Sequence, residues 1–454
     1  MFGNRANIKL SIGNVILVAN AFIWYLLAFY TLKMALSQQG ASTTDSLLIL
    51  AANTASIVIA GLVGSLIVGK YIEHKRFLNV WLASGIVLSL IPVIINVTNL
   101  TQITVLSIIF GIYFGFGMPS TMSFFAGITK IENRGKVGGI TFLIIGTTFA
   151  LSSLIMRSSF LEIGVFLASL RIVGLIALNF LIKNGQVTEQ TLTNKKIDIE
   201  VKYTKIFRNR AFLLYFIPWL MFTLINYTTI PIQDAIYPSE ATYTFLAEIE
   251  NIVIAIAAVI SGFIADKIGR KRLSIIGFIL LGIGYAILGL AAADPAGSAN
   301  LESSQNLLLG RITFIITDGI AWGIFYVLFV FTLWGDLAQS KLSDKLYFVG
   351  VLPYVSAYLT QLVFTPYLVE IEIQTIFSFA SFFLFLAVLP LIYAPETLPE
   401  KLMKDRDLKS YIENAKKKAA KMEQKIPPPK EENDEPAENS ADYEEAKKLA
   451  EKYY

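Results

Sequence analysis

Charged side chains occur inside long apolar stretches of this sequence, where ionisable groups are costly and are functional candidates by default. Asp318 is the clearest, because it lies near the middle of the apolar stretch 306–334. Arg311, Trp322 and Tyr326 fall on the same face of a helix through Asp318. This stripe suits a polar central cavity, in which the carboxylate takes up a proton or pairs with a cationic solute. The alternative is that Asp318 is neutral, or pairs with a neighbouring helix as a structural contact.

Three more ionisable residues lie within apolar stretches. Arg171 lies deep in 162–182 and either takes part in binding or coupling, or extends to the membrane surface or to a partner in its own half. Glu248 and Glu250 lie in the outer third of 243–265 and point about 200° apart, so they cannot both face one cavity. Glu248 shares its face with Asn251 and is the candidate that we retain. Either glutamate could instead mark a hydrated helix end.

Polar-tipped side chains in two further stretches are weaker candidates for substrate contact. Tyr354, Tyr358 and Gln361 share one helical face within 346–368, and Asn226 lies within 211–232. Such side chains either contact substrate or pack helices together.

Several classes of function find no support in the residues. The sequence contains no cysteine and one histidine, His74, so we expect no metal centre and no cofactor. A Gly-x4-Gly-Lys-Ser/Thr loop for nucleotide binding is absent. The polar residues show no catalytic spacing, so we expect neither an enzyme nor a nucleic-acid partner.

Composition indicates an all-α membrane protein. The 454 residues are 55% hydrophobic and 16% charged, whereas soluble proteins carry about 25% charged residues. Apolar runs of roughly 20 residues, the length that crosses a bilayer, predict about twelve transmembrane helices. These runs are Leu10–Leu36, 46–69, 78–97, 101–126, 138–156, 162–182, 211–232, 243–265, 273–292, 306–334, 346–368 and 374–394.

The predicted helices fall into two sets of six. We expect an N-terminal half over 1–182, a central loop over 183–210, a C-terminal half over 211–400 and a tail over 401–454. The halves repeat weakly: with Lys70 aligned to Lys267, Gly69 stands at the position of Asp266 and Ile72 at that of Gly269. The tail, with basic, proline-rich and acidic segments, is either a solvated, partly disordered appendage or an element that docks a partner.

Basic residues predict the orientation, because Lys and Arg accumulate in cytoplasmic loops. The alternate loops that would face outward contain only Lys33 and Arg157. We therefore expect a multi-pass protein of the plasma (cell) membrane, in contact with lipid, with both termini in the cytoplasm. The basic residues of the inner segments are Arg5, Lys9, Lys70, Lys75, Arg76, Lys130, Arg134, Lys136, Lys267, Arg270, Lys271, Arg272, Lys341, Lys345 and seven between Lys183 and Arg210.

The segment GFIADKIGRKRL, Gly262–Leu273, lies between two of the apolar stretches. Its clustered basic side chains repel one another and need anionic partners, helix C-termini or lipid headgroups. The segment resembles the signature loop of the major facilitator superfamily of twelve-helix secondary transporters, written Gly-x-x-x-Asp-Arg/Lys-x-Gly-Arg/Lys-Arg/Lys. The positions are filled by Gly262, Asp266, Lys267, Gly269, Arg270 and Lys271.

The resemblance covers about 10–400 and implies two pseudo-symmetric halves and alternating access. It implies that Asp266 meets the N-terminus of a helix in the opposite half and closes the cytoplasmic side. Glu132, Arg134 and the pair Asp336 and Lys341 are the expected partner charges. PETLPE, Pro395–Glu400, resembles the motif that closes the sugar-porter branch, but Gly127 stands where that branch has glutamate, so no sugar is assigned.

The sequence thus predicts a secondary active transporter that moves a small solute and is coupled to protons or another ion. The alternative is a non-transporting membrane sensor or scaffold that acts through the tail.

Overall fold

The computed structural model describes most of the apolar stretches and the shorter loops between them. The chain divides into two units, Met1–Met403 and Lys404–Tyr454, and every helix named below belongs to the first. Most of the predicted tail, and residues 183–202 of the predicted central loop, lie outside the described residues. The described residues are 5–68, 71–94, 99–155, 159–182, 203–235, 240–292, 305–338, 343–368 and 370–399, with the single positions 408, 412 and 448.

Twelve helices among the described residues are long and apolar enough to cross a membrane, which confirms the predicted number. Their ends differ from the predicted ends by a few residues, because polar residues at the membrane surface extend the helices beyond the apolar runs. The helices are α1 (Arg5–Gln38), α2 (Thr43–Ile67), α3 (His74–Val93), α4 (Leu100–Ile128), α5 (Arg134–Ile155), α6 (Phe160–Leu181), α7 (Arg210–Ala235), α8 (Glu240–Ile268), α9 (Arg270–Ala292), α10 (Leu307–Leu337), α11 (Ser343–Leu368) and α12 (Ile373–Tyr393).

Helix α10 is not uniform along its length. A regular α-helix continues to Phe325, Tyr326–Thr332 forms a wider π-helical segment, and Leu333–Leu337 returns to α-helix. Such π segments are rare and often occur at functional sites. This helix is also the most buried of the twelve, which is consistent with a central position.

The two halves meet along two seams. Helix α5 packs against α8 and the π segment of α10, while α11 packs against α2 and α4. At the first seam, a Cβ added to Gly262 would overlap the carbonyl oxygen of Gly135, so glycine is needed for the backbones to approach this closely.

A repeated contact aligns the halves more accurately than their sequences do. Lys271 Nζ donates to the Ile392 carbonyl at 2.6 Å, and Lys75 Nζ donates to the Ile182 carbonyl at 2.6 Å. These contacts pair Lys75 with Lys271, and therefore His74 with Arg270, the first residues of α3 and α9. The alignment that pairs Lys70 with Lys267 is therefore shifted by one residue from α3 and α9 onward. The shift arises because the segment from Lys70 to Lys75 has one residue more than the segment from Lys267 to Lys271.

The orientation predicted from charge is tested with introduced cysteines, since the chain contains none. We expect Gln39→Cys and Glu370→Cys, both exposed in loops at one end, to react in intact cells with an impermeant thiol reagent. Thr204→Cys and Asn133→Cys, exposed at the other end, should react only after permeabilisation. The reverse labelling pattern would overturn the predicted orientation.

Candidate functional site

Asp266 joins the two halves at the end of the bundle that carries the α8–α9 turn, called the Asp266 end below. Its carboxylate accepts the backbone N–H groups of Gly135 at 2.9 Å and of Lys136 at 2.8 Å, in the first turn of α5. The first N–H groups of a helix have no partner within the helix and carry partial positive charge, so a carboxylate is stabilised there. This is the contact that the resemblance implies, while a gating role for it stays a prediction.

Two arginines and two aspartates form a buried cluster around this contact. Arg270, fully buried, donates from Nη2 to Asp266 at 2.8 Å and from Nε to Asp336 at 3.0 Å. Arg134 from the other half donates to the second oxygen of Asp336 at 2.5 Å. Buried ions are costly unless paired, and here two positive and two negative groups pair completely.

Glu396 is a part of this site that the sequence analysis missed. Its carboxylate accepts the N–H groups of Arg270 at 2.8 Å and Lys271 at 3.1 Å, so it caps α9 as Asp266 caps α5. Gly269 has φ of +103°, and a Cβ there would overlap the Glu396 carboxylate. Glu396 belongs to PETLPE, whose resemblance to the sugar-porter motif does not indicate which helix the glutamate caps.

The other predicted loop residues have lesser contacts. Lys267 is exposed, and the Lys271 side chain binds the end of α12. Glu132 lies half-buried in the short 3-10 turn before α5. Lys341, expected as a partner charge, lies outside the described residues.

A second contact between the halves lies at the same end. His74 at the start of α3 is 3.2 Å from the Asp344 carboxylate at the start of α11. Ser123 of α4 also hydrogen-bonds Ser343 of α11. These pairings could not be predicted from the sequence, because none of the four residues belongs to the signature loop.

A cavity of about 610 Å³ lies between the halves, lined by α1, α5, α8, α10 and α11, and is called the larger cavity below. Phe331 lines it toward the Asp266 end, and its ring lies 5.8 Å from that of Phe22 and 5.9 Å from that of Phe125. In the opposite direction its lining reaches Leu151 and Glu248, near the other ends of α5 and α8. The cavity thus extends away from the charge cluster.

A second cavity of about 260 Å³, called the smaller cavity, lies among α7, α8 and α10 of the C-terminal half. Asp318 lines it, is 3% exposed, and has one carboxylate oxygen, Oδ1, without a hydrogen-bond partner among the described residues. Glu250 lines the same cavity, and its carboxyl group interacts with that of Asp318. Asn251 and Tyr326 line both cavities, which are therefore adjacent.

The structure brings together most of the predicted α10 stripe. Asp318, Trp322 and Tyr326 line the smaller cavity, and the last two rings stack with centroids 4.8 Å apart. Arg311 is buried but lines neither cavity, so its predicted place at the cavity is wrong. It lies two helical turns from Asp318, beyond the depth that the cavity reaches.

The two glutamates of α8 both line cavities. Glu248 lines the larger cavity and Glu250 the smaller one. The two glutamates do not share one cavity, in keeping with their angular separation, but two adjacent cavities border α8 and each glutamate lines one of them. Glu250, which the sequence analysis did not retain, is the residue that contacts Asp318.

The weaker candidates separate into lining and packing residues. Tyr354 lines the larger cavity and its hydroxyl is 3.2 Å from that of Tyr326, while Asn226 lines the smaller cavity. Tyr358 instead lies beneath the Lys33 ammonium group at 5.0 Å. Gln361 lines neither cavity, since α11 leaves the cavity wall before that residue.

Arg171 is a packing residue within the N-terminal half. It is fully buried, donates to Asn20 at 2.8 Å, and its guanidinium lies 4.5–5.1 Å from the rings of Trp24, Trp81 and Tyr113. Cation–π contacts of this kind stabilise a desolvated guanidinium. Of the two alternatives for Arg171, these contacts support a partner in its own half, and Arg171 is not among the residues that line either cavity.

Solved structures of transporters share this fold. A structure of the proton:xylose symporter XylE matches with a TM-score of 0.61 at 16% identity, covering 87% of this chain and 97% of that one. A bacterial homologue of the iron transporter ferroportin, in an outward-facing state, matches with a TM-score of 0.64 at 13% identity, covering 86% of this chain and 99% of that one. The human organic anion transporter MFSD10 matches with a TM-score of 0.56 at 13% identity, covering 86% of this chain and 100% of that one.

No curated protein matches the chain in sequence. The family model described as Major Facilitator Superfamily, in contrast, matches residues 14–343, most of the membrane part and well over half of the chain. The family comprises membrane transporters rather than enzymes. On the twelve helices, the shared fold and this match, the chain belongs to the major facilitator superfamily.

Proposed function

We propose that this chain is a secondary active transporter of a small solute, driven by protons that bind at Asp318 and Glu250. The observation that carries the proposal is a buried carboxyl group with an unpartnered oxygen, facing a cavity next to the space between the halves. The fold alone does not choose a substrate, because its three structural relatives are described as carriers of xylose, iron and organic anions.

Alternating access follows from the unequal ends of the molecule. Paired charges join the halves at the Asp266 end, whereas the larger cavity extends toward the other end. With the charge-based orientation, this arrangement is a state open to the outside and closed to the cytoplasm. The cell membrane, with both termini in the cytoplasm, is the proposed location.

Proton coupling is supported by the neighbouring carboxyl groups. Two ionised carboxylates in contact repel each other strongly where water is scarce, so the pair shares a proton or takes up a cation. The residues that line the smaller cavity include no Lys or Arg to neutralise them. The pair therefore has the chemistry of a proton carrier, exposed through the cavity in one state of the transporter.

The sensor or scaffold alternative has less support. A sensor does not need an ionisable pair beside a cavity between its halves, and such groups are costly to retain without a function. Transport is therefore the function that the geometry favours.

Asp266→Asn tests the proposed gate. A carboxylate at a helix N-terminus contributes roughly 0.3–1 kcal/mol, and up to ~2 kcal/mol when partly buried. Removing its charge should shift the balance toward inward-open states by up to about 30-fold, while expression stays normal. Ser343→Cys, buried at the α4–α11 contact, reports this shift by reacting faster with a thiol reagent from the cytoplasmic side.

Lys267→Gln, in the same turn but exposed, is the matched control and should leave the reaction rate unchanged. An equal rate in Asp266→Asn and in the parent would remove Asp266 from the gate.

Asp318→Asn tests proton coupling. Asparagine resembles the protonated acid, so a solute that does not itself pair with the carboxylate should still bind to the variant and exchange across the membrane. A cationic solute that pairs with Asp318 should lose binding as well. The variant should fail to accumulate the solute against a gradient when a pH gradient is imposed. The measurement uses reconstituted vesicles and the solute that most raises thermal stability in a screen of sugars, organic acids, amino acids and organic cations.

The control is Glu370→Gln, which removes an exposed carboxylate from the α11–α12 loop. Undiminished uphill uptake by Asp318→Asn would contradict the proposed coupling. A lower thermal stability with intact uptake per folded molecule would assign Asp318 a structural role only.

A further inference from the structure

The charged residues that line the two cavities are all acidic. The lining residues include three acids, Glu248, Glu250 and Asp318, and no Lys or Arg. The buried arginines have other positions: Arg134 and Arg270 pair with aspartates at the Asp266 end, and Arg171 packs among aromatic rings. Arg311 is buried two helical turns from Asp318 and is not among the residues that line either cavity. An anionic ligand would therefore meet repulsion, and no basic partner, among the lining residues of either cavity.

The smaller cavity has the features of a site for a positively charged group. Asp318 lines it, is 3% exposed, and has an oxygen without a hydrogen-bond partner among the described residues, so a buried acceptor is available. Trp322, Tyr326 and Tyr227 add aromatic surfaces, with Tyr227 and Trp322 rings 6.1 Å apart. A cation beside aromatic faces and a carboxylate is stabilised by both.

The larger cavity is suited to an apolar body. Its lining is dominated by aliphatic and aromatic side chains, including Phe22, Phe142, Ile145 and Phe149. Phe142 of the N-terminal half stacks on Tyr326 of the C-terminal half at 4.3 Å, and Tyr326 also lines the smaller cavity. One molecule can therefore place an apolar part against both halves and a polar end beside Asp318.

The cavities are less suited to a metal ion or a sugar. Among the described residues no group of three or more His, Cys, Asp or Glu side chains could hold a metal ion. A sugar carries hydroxyl groups over its whole surface and would leave most of them unpaired against the apolar lining of the larger cavity.

We propose that the substrate is an amphiphilic organic monocation, with its ammonium-type group beside Asp318 and Glu250 and its apolar body in the larger cavity. This inference rests on the proposed function and specifies the direction in which the solute moves relative to the proton. The cation and the proton compete for the same carboxyl pair, so binding of one cation releases one proton and the charge of the site is conserved. Exchange of a cation for a proton across the membrane is antiport.

The test uses three probes that share a phenylalkyl body and differ in the charge of the head group: phenylbutyl-trimethylammonium, phenylbutanol and phenylbutyrate. The permanent cation has no proton of its own to release. Purified full-length protein in weakly buffered solution should bind the cation and release up to one proton per cation. The alcohol should bind more weakly without proton release, and phenylbutyrate should not bind.

Substitutions locate the binding. Asp318→Asn should weaken cation binding by about 30-fold or more, because it removes a desolvated partner of the charge, and should abolish proton release. Asp318→Glu keeps the charge and should restore much of the affinity, which separates loss of charge from misfolding. Glu370→Gln is the surface control.

Equal binding of the alcohol and the cation would overturn the proposal, because the cavity would then select only apolar shape. Preferred binding of phenylbutyrate, or cation binding unaffected by Asp318→Asn, would overturn it as well. If the cation does not bind but Asp318→Asn still abolishes pH-driven uptake of another solute, the substrate class fails and the proposed function stands. If the cation binds with proton release but a pH gradient drives no transport, the proposed function fails.

Discussion

Arg270 is fully buried, and its guanidinium group connects Asp266 at the end of α8 with Asp336 at the end of α10. The joining of the halves at this end depends on that connection, because Asp266 continues to the N-terminus of α5 and Asp336 to Arg134. Leaving any one of these charges unpaired away from water would cost several kcal/mol. We therefore expect the contacts that cross between the halves, from Asp266 to α5 and from Arg134 to Asp336, to form or separate together.

The same constraint explains the contrast with Asp318. At the Asp266 end every charge of the cluster has a partner of opposite sign, so the cluster is neutral and holds the halves together. Around Asp318 the lining of the smaller cavity includes a second acid and no base. A site that leaves its charge without a resident partner is open to an external one. The distribution of arginines thus separates the end where the halves are joined from the site proposed to bind the solute.

The sequence predicts the fold well and the site partly. Twelve helices follow from apolar length, since the bilayer leaves few other solutions for a backbone without water. The Asp318, Trp322 and Tyr326 face follows from helical periodicity. Glu250 and Glu396 could not be found in the same way, because their roles depend on which helix lies beside them. Arg311 shows the reverse error: periodicity gives its direction but not the depth at which the cavity ends.

The π-helical segment of α10 lies between Asp318 and Asp336. In a regular α-helix these residues would be five full turns apart and would point in the same direction. The wider turns of Tyr326–Thr332 change the phase of the helix by roughly one residue, about 100°. The two aspartates are therefore turned apart and serve different neighbours, one the cavity and the other the arginines. A movement that made this segment a regular α-helix would rotate one carboxylate relative to the other about the helix axis. Helix α10 therefore links the orientation of Asp318 at the proposed binding site to the orientation of Asp336 at the closed end.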